Sequence, residues 1–218
     1  MSVTLGEEVM LLSLDDAGVV KDRASTRWAV AGGALLELAM RYRVQVASGR
    51  LGVTDTSSTG EELLDERLRR LSDWVHRHRS GRVAEWLAKD QAATVRATVR
   101  SLHERGLVTE EGHRALGLFA VRRYPEADGT VERELRERLA RVVLRGARPD
   151  DRTSALVALL HGARLYDIAF PSVPRKEVEP RMAVIAEGRW AAAGARRVIR
   201  DMGATVASVT AVTDAPSA

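Results

Sequence analysis

The chain has 218 residues, 45% of them apolar and 29% charged, with a formal net charge of +4. That mixture fits one globular domain, or at most two, with enough chain to bury one substantial core. The absence of cysteine excludes disulfides and thiolate metal sites, and no apolar window reaches the roughly 20 residues that span a bilayer.

Aromatic residues make up only 4%, so the core is built from Leu, Val and Ala, a choice that favours helices. Met1 to Glu8 lacks a basic region followed by an apolar run, and the expectation is a cytosolic protein. The 34 cations are 31 Arg and 3 Lys. Arg forms bidentate pairs with phosphate, so the excess permits an anionic partner such as nucleic acid, phospholipid or a phosphometabolite.

Residues 5–13, LGEEVMLLS, predict a first helix, and Asp15 to Gly18 a turn. Ser25 or Thr26 can then cap the next helix by accepting from its free amides. That helix, WAVAGGALLELAMRY from Trp28 to Tyr42, is apolar on nearly every side, with Ala31, Leu35, Leu38 and Tyr42 at helical spacing and Glu37 as the one interruption. A helix of that kind is buried. Gly32 and Gly33 inside it each cost about 1 kcal/mol against Ala, so a neighbouring element or a ligand must approach closely there.

Residues 43–46 alternate with period two, Ser48-Gly49 is a turn signal and residues 51–53 follow, which predicts a small β-hairpin. After a polar loop over 54–60, residues 61–79 form an amphipathic helix with Leu63, Leu64, Leu68, Leu71 and Val75 inward. Gly81 breaks it. Two further helices are expected, over 83–87 and over Thr94 to Glu104, with Gly106 as the closing cap. Leu107 to Thr109 and Leu116 to Arg123 are candidate strands.

Helix signals resume at Thr130, with Leu135, Leu139, Val142 and Val143 as the apolar stripe. Asp150 and Asp151 cap a second core helix expected from Ser154 to Ala169, ended at Phe170-Pro171. A helix from about Glu177 to Asp201 follows, interrupted at Gly203, and residues 204–213 read equally as helix or strand. The fold class expected is a mainly α single domain around a buried central helix, with small β-hairpins. Residues 1–4 read as a tail, 5–203 as the domain, and 204–218 as a C-terminal segment ending in disorder.

No motif for a catalytic nucleophile, a phosphate loop or a dinucleotide is present. His76 and His78 point to different helix faces, and His161 reads as a hydrogen-bonded core histidine, so no metal site is expected. The arginines carry the remaining site chemistry. Arg23, Arg27 and Trp28 sit at the mouth of the central helix, where an anion would meet free amides and two guanidinium groups. Arg96 and Arg100 lie one turn apart on one helix face. Leu118, Phe119, Val121 and Tyr124 flank Arg122 and Arg123, an apolar strand tip beside two cations that suits a membrane surface.

Four stretches in order, GEEVMLLSLDD, ALLELAMRYRVQV, LHERGLVT with GLFAVRRYP, and ALVALLHGARLYDIAF, resemble the Golgi phosphoprotein 3 family from about Leu5 to about Met202. The high Arg and Ala content makes the chain look like a bacterial member. The resemblance implies a non-enzymatic peripheral membrane protein without a cofactor. Eukaryotic members bind phosphatidylinositol 4-phosphate through a basic pocket of Trp and Arg. They also use a projecting β-hairpin for membrane contact and oligomerisation, and they act as adaptors for protein tails. Here Leu116 to Pro125 matches the hairpin. An ungapped alignment on ALLELAMRYR puts Asp22 at the family's tryptophan and Ala31 at an arginine, and the family's later arginine pair falls on Ala92 and Val95. Trp28, Arg23, Arg27, Arg96 and Arg100 lie nearby and are the candidates to take an anionic phospholipid headgroup in their place. The competing expectation is a winged-helix-like nucleic-acid-binding regulator, since a helix, RGLVT and a strand pair also read that way.

Overall fold

The computed structural model describes residues 3–78, 81–115, 119–191 and 193–213. Its elements are α1 (Leu5–Ser13), α2 (Arg23–Met40), β1 (Val44–Ala47), β2 (Arg50–Val53), α3 (Glu62–Arg77), α4 (Val83–Glu104) and the strands β3 (Glu111–Ala115) and β4 (Phe119–Arg123). They continue through α5 (Thr130–Val143), α6 (Asp151–Gly162), α7 (Tyr166–Ala169), α8 (Arg175–Ala186) and α9 (Ala193–Thr213). Both strand pairs are isolated antiparallel hairpins, β1 with β2 and β3 with β4. The chain is a mainly α single domain, as its composition implied.

The apolar stretch in α2 is the centre of that domain. The helix packs against α1, α4, α6 and α9, and Trp28 to Ala39 are all buried. Its paired glycines admit neighbouring helices. A Cβ on Gly33 would stand 2.8 Å from the Gly6 amide nitrogen, and one on Gly32 would stand 2.8 Å from Val206 Cγ2. Both distances are shorter than van der Waals contact, so α1 and α9 can approach this closely only because side chains are missing. The helix cost of the two glycines is offset by packing against protein.

Three carboxylates from α1 and α2 are buried in the same core, Glu7 at 0%, Glu8 at 1% and Glu37 at 4% exposure. Buried charges persist only when paired. Glu7 closes a capping box on Thr4 and accepts from Ser101 Oγ (2.8 Å) and Arg105 Nη1 (3.0 Å). Glu8 accepts from Arg138 Nη2 (2.6 Å) and Arg152 Nε (2.8 Å). Glu37 accepts from the Leu5 amide (2.6 Å) and Arg41 Nη2 (2.8 Å) and faces Arg152 Nη1 at 3.4 Å. These pairs tie α1 and α2 to α4, α5 and α6.

Several expected boundaries move, each for a physical reason. The cap of α2 is Asp22, whose carboxylate accepts from the Ser25 amide (3.1 Å), and Ser25 and Thr26 lie within the helix. Tyr42 leaves the apolar stripe. The helix ends at Met40, and Tyr42 has φ of 59° and is 78% exposed. Its neighbours turn the chain, with Arg41 donating to Thr59 O (3.1 Å) and Arg43 to Asp55 Oδ2 (2.6 Å).

The two helices expected between residues 83 and 104 are one helix, α4. The polar gap in their pattern contains Asp90, which is buried and accepts from Arg67, Arg70 and Thr94. The helix expected from Ser154 to Ala169 is split where Arg164 takes φ of 58°, giving α6 and α7. The next one breaks at Gly188, φ 66°, into α8 and α9. Gly203, expected to interrupt, lies inside α9, where it faces the Ala158 carbonyl of α6 at 3.3 Å from its Cβ position. The ambiguous stretch 204–213 is the continuation of α9. Its buried Val206 and Thr210 face inward.

Candidate functional site

The first two turns of α2 present Arg23 and Arg27 on one exposed face, four residues apart. Arg27 Nε donates to the Arg23 carbonyl at 3.1 Å, which holds the side chain along the helix. On α4, Arg96 and Arg100 are also four apart and exposed. Packing of α4 on α2 brings the two pairs to one groove of about 960 Å³. Met10 of α1, Val20, Val95 and Val99 give it an apolar floor. Gly18, Tyr124 and Glu110 close one side, and His103 lies one turn beyond Arg100.

The arginines of this groove are left largely uncommitted by the fold. Among the described residues Arg23, Arg27 and Arg96 make no ion pair with a carboxylate. Arg100 is the exception, with its Nη2 3.0 Å from Glu66 and its Nε 3.9 Å from Glu104. Four guanidinium groups around one concavity raise the local concentration of an anion and offer bidentate contacts to phosphate.

Other expected site features lie elsewhere. Trp28 is 8% exposed, belongs to the core and is absent from the groove lining. The mouth of α2 is already occupied by the Asp22 carboxylate, so an anion would be met by the side of the first turns instead of by free amides at the helix end. Of the positions the resemblance picks out, Ala31 is buried, Ala92 is exposed on α4, and Val95 is part of the groove floor.

The second candidate feature is the hairpin. Its first strand is Glu111–Ala115, where residues 107–109 were expected, and Glu111 pairs with Arg123 and Ala115 with Phe119. Leu118 lies outside the described residues. Phe119, Val121 and Arg122 lie on β4. At its root, Tyr124 N donates to the Gly18 carbonyl (2.8 Å) and Thr109 N to the Pro125 carbonyl (2.9 Å). Hairpin and groove therefore share a wall, because Tyr124 belongs to both. Arg123 Nε is buried there without a hydrogen-bond partner among the described residues. Glu126 Oε2 is in the same condition, and burial followed by the nearby Glu132 pushes the Glu126 carboxyl up to about 7.

A second concavity of about 710 Å³ along α5 also carries arginines, among them Arg138 and Arg152. Both are committed to Glu8, and Glu134 and Glu137 line the same surface, so its charge is largely balanced internally. His161 is half-buried and bonded to Tyr166 OH (3.0 Å), and burial lowers its pKa, which keeps it neutral at pH 7. His76 and His78 each contact the carbonyl four residues back, at 2.7 and 2.9 Å. No group of three or more metal-ligating side chains occurs among the described residues. No helix among them is long and apolar enough to cross a membrane. The winged-helix expectation needs a protruding recognition helix, whereas α4 packs against α1, α2, α3 and α9.

Sequence pattern missed His103, Glu110 and the valine floor. Val95 and Val99 have the helical spacing of inward core positions, which half-buried groove positions share. The family model described as Golgi phosphoprotein 3 (GPP34) matches residues 5–202, nearly the whole chain. No curated protein matches.

Proposed function

The chain belongs to the Golgi phosphoprotein 3 family, and from that premise we propose that it is a non-enzymatic peripheral membrane protein that binds anionic phospholipid headgroups. Phosphatidylinositol 4-phosphate is the headgroup class that the family relationship suggests. The lipid phosphate meets Arg23, Arg27, Arg96 and Arg100 in the groove between α2 and α4. The hairpin of β3 and β4 meets the membrane beside it, with Arg122 and Arg123 adding charge near the lipid surface. Protein tails and further copies of the chain are the other partners this reading anticipates, on the cytoplasmic side of a membrane.

One observation carries the reading. Two helices far apart in sequence bring four arginines to one groove, and three of them have no carboxylate partner among the described residues. Exposed cations in a folded protein readily find acidic neighbours, and this chain has 30 acidic residues available. Four guanidinium groups against one lining carboxylate, Glu110, leave a positive excess that is suited to an anion from outside. Each cation near an anionic membrane contributes about 1 kcal/mol, and the attraction is screened within about 10 Å at ordinary salt.

Co-sedimentation with vesicles tests this at low and high salt. The protein should sediment with phosphatidylcholine vesicles containing phosphatidylinositol 4-phosphate or phosphatidylglycerol, and release as salt rises. Equal partitioning onto phosphatidylcholine alone would overturn the headgroup reading. Arg122→Glu with Arg123→Glu tests the hairpin separately, and unchanged sedimentation of that variant would remove the hairpin from the account.

A further inference from the structure

The groove is larger and more apolar than a phosphate group requires. About 960 Å³ is at the upper end of the roughly 300–1,000 Å³ of sites that enclose drug-sized ligands. Its chemistry is divided in two. The guanidinium groups stand on the rim, while Val20, Val95 and Val99 are half-buried on the floor and packed on the core, above a fully buried Met10. A headgroup phosphate on the rim alone would leave those valines facing water.

We propose that the groove takes a phospholipid beyond its headgroup, with the phosphate on the rim arginines and the glycerol and first methylenes of one acyl chain on the valine floor. The inference rests on the headgroup reading given above. A lipid is the occupant that matches both halves, because its charge and its hydrocarbon are adjacent in one molecule. The wall shared with the hairpin points the same way. Tyr124, the residue that leaves β4, lines the groove, so a lipid drawn partly out of the membrane beside the hairpin would enter directly.

Each methylene transferred from water to an apolar contact tightens binding about fourfold. Titration calorimetry with dioctanoyl phosphatidylinositol 4-phosphate, below its micelle concentration, is compared with the chain-free headgroup inositol 1,4-bisphosphate. The expected result is a dissociation constant at least about tenfold lower for the lipid, equivalent to two or more covered methylenes. Val95→Thr with Val99→Thr keeps the side-chain shape but makes the floor polar, and should remove most of that difference.

Equal affinity for lipid and headgroup overturns the acyl-chain inference and leaves the headgroup reading standing. Unchanged lipid binding by the valine variant also overturns it. Dioctanoyl phosphatidylcholine binding as tightly as the anionic lipid, or no binding by any of the three probes, overturns the headgroup reading and this inference with it.

Discussion

Arg138 and Arg96 both sit near the middle of amphipathic helices, and the fold uses them differently. Arg138 reaches a fully buried carboxylate, Glu8, at 2.6 Å. Arg96 stands on the rim of a groove with no carboxylate paired to it among the described residues. The same contrast separates Arg105 and Arg152, which neutralise Glu7, Glu8 and Glu37, from Arg23 and Arg27. A count of arginines therefore says little about ligand binding. The position of the acidic residues decides it, because a paired guanidinium has already exchanged its hydration for a partner and an unpaired one has not.

The largest expected effect comes from breaking the paired set. Glu8→Ala leaves Arg138 and Arg152 facing an emptied, buried position. Loss of one partner from such a network costs about 3 kcal/mol or more. For a chain of this size that lowers Tm by about 6–12 °C. Thermal unfolding followed by circular dichroism measures it. A shift below about 2 °C would mean that the network contributes little to stability.

The unpaired set should respond in the opposite way. Arg27→Glu reverses a charge on the groove rim, a change of two units worth about 2 kcal/mol at an anionic surface, or about thirtyfold in vesicle partitioning. Its Tm should stay within about 2 °C of the wild type, since exposed substitutions of this kind change stability by about 0.5 kcal/mol or less. Arg138→Gln supplies the control. It should lower Tm and leave vesicle partitioning nearly unchanged, and a variant that lost both properties would erase the distinction between the two sets.

Much of this molecule was legible before its structure. The stripes of α3 and α5 and the buried centre of α2 follow from hydrophobic period alone, because burial on one face leaves that period in the sequence. Arg23, Arg27, Arg96 and Arg100 were singled out as pairs, since residues four apart share a face. Their meeting in one groove was not legible, because it depends on how α4 crosses α2. Trp28 was misplaced for a related reason. A tryptophan beside arginines fits an anion site in sequence, but its orientation depends on which face of α2 is buried. Asp90 hid the continuity of α4, because a buried ion pair looks like a polar gap. The first strand of the hairpin, EGHRA, has no apolar alternation at all, and its pairing is fixed by β4. The acidic network also leaves a signal in the sequence. Glu7, Glu8 and Glu37 are carboxylates inside apolar runs, and such residues require buried cations nearby.

The smallest expected effect lies at the root of the hairpin, where a carboxylate makes no ion pair among the described residues. Glu126 is half-buried, with Glu132 and Asp128 nearby, and Arg136 is engaged by Glu132 and by backbone carbonyls. Its folded pKa of about 7 lies above the ordinary carboxylate range, so the folded protein holds this proton more tightly than the unfolded chain does. Both states are protonated well below pH 4, and there the group makes no pH-dependent demand. As pH rises towards 7 the unfolded chain ionises first, and stability falls until the folded carboxyl has ionised too. Glu126→Gln removes that penalty. Because the site is partly open to water, the gain at pH 8 should be only about 1 kcal/mol, or about 2–4 °C in Tm, and should vanish near pH 4. Thermal unfolding of both proteins across that range decides the matter. A gap that stays constant with pH would assign the effect to packing of the amide and not to the charge.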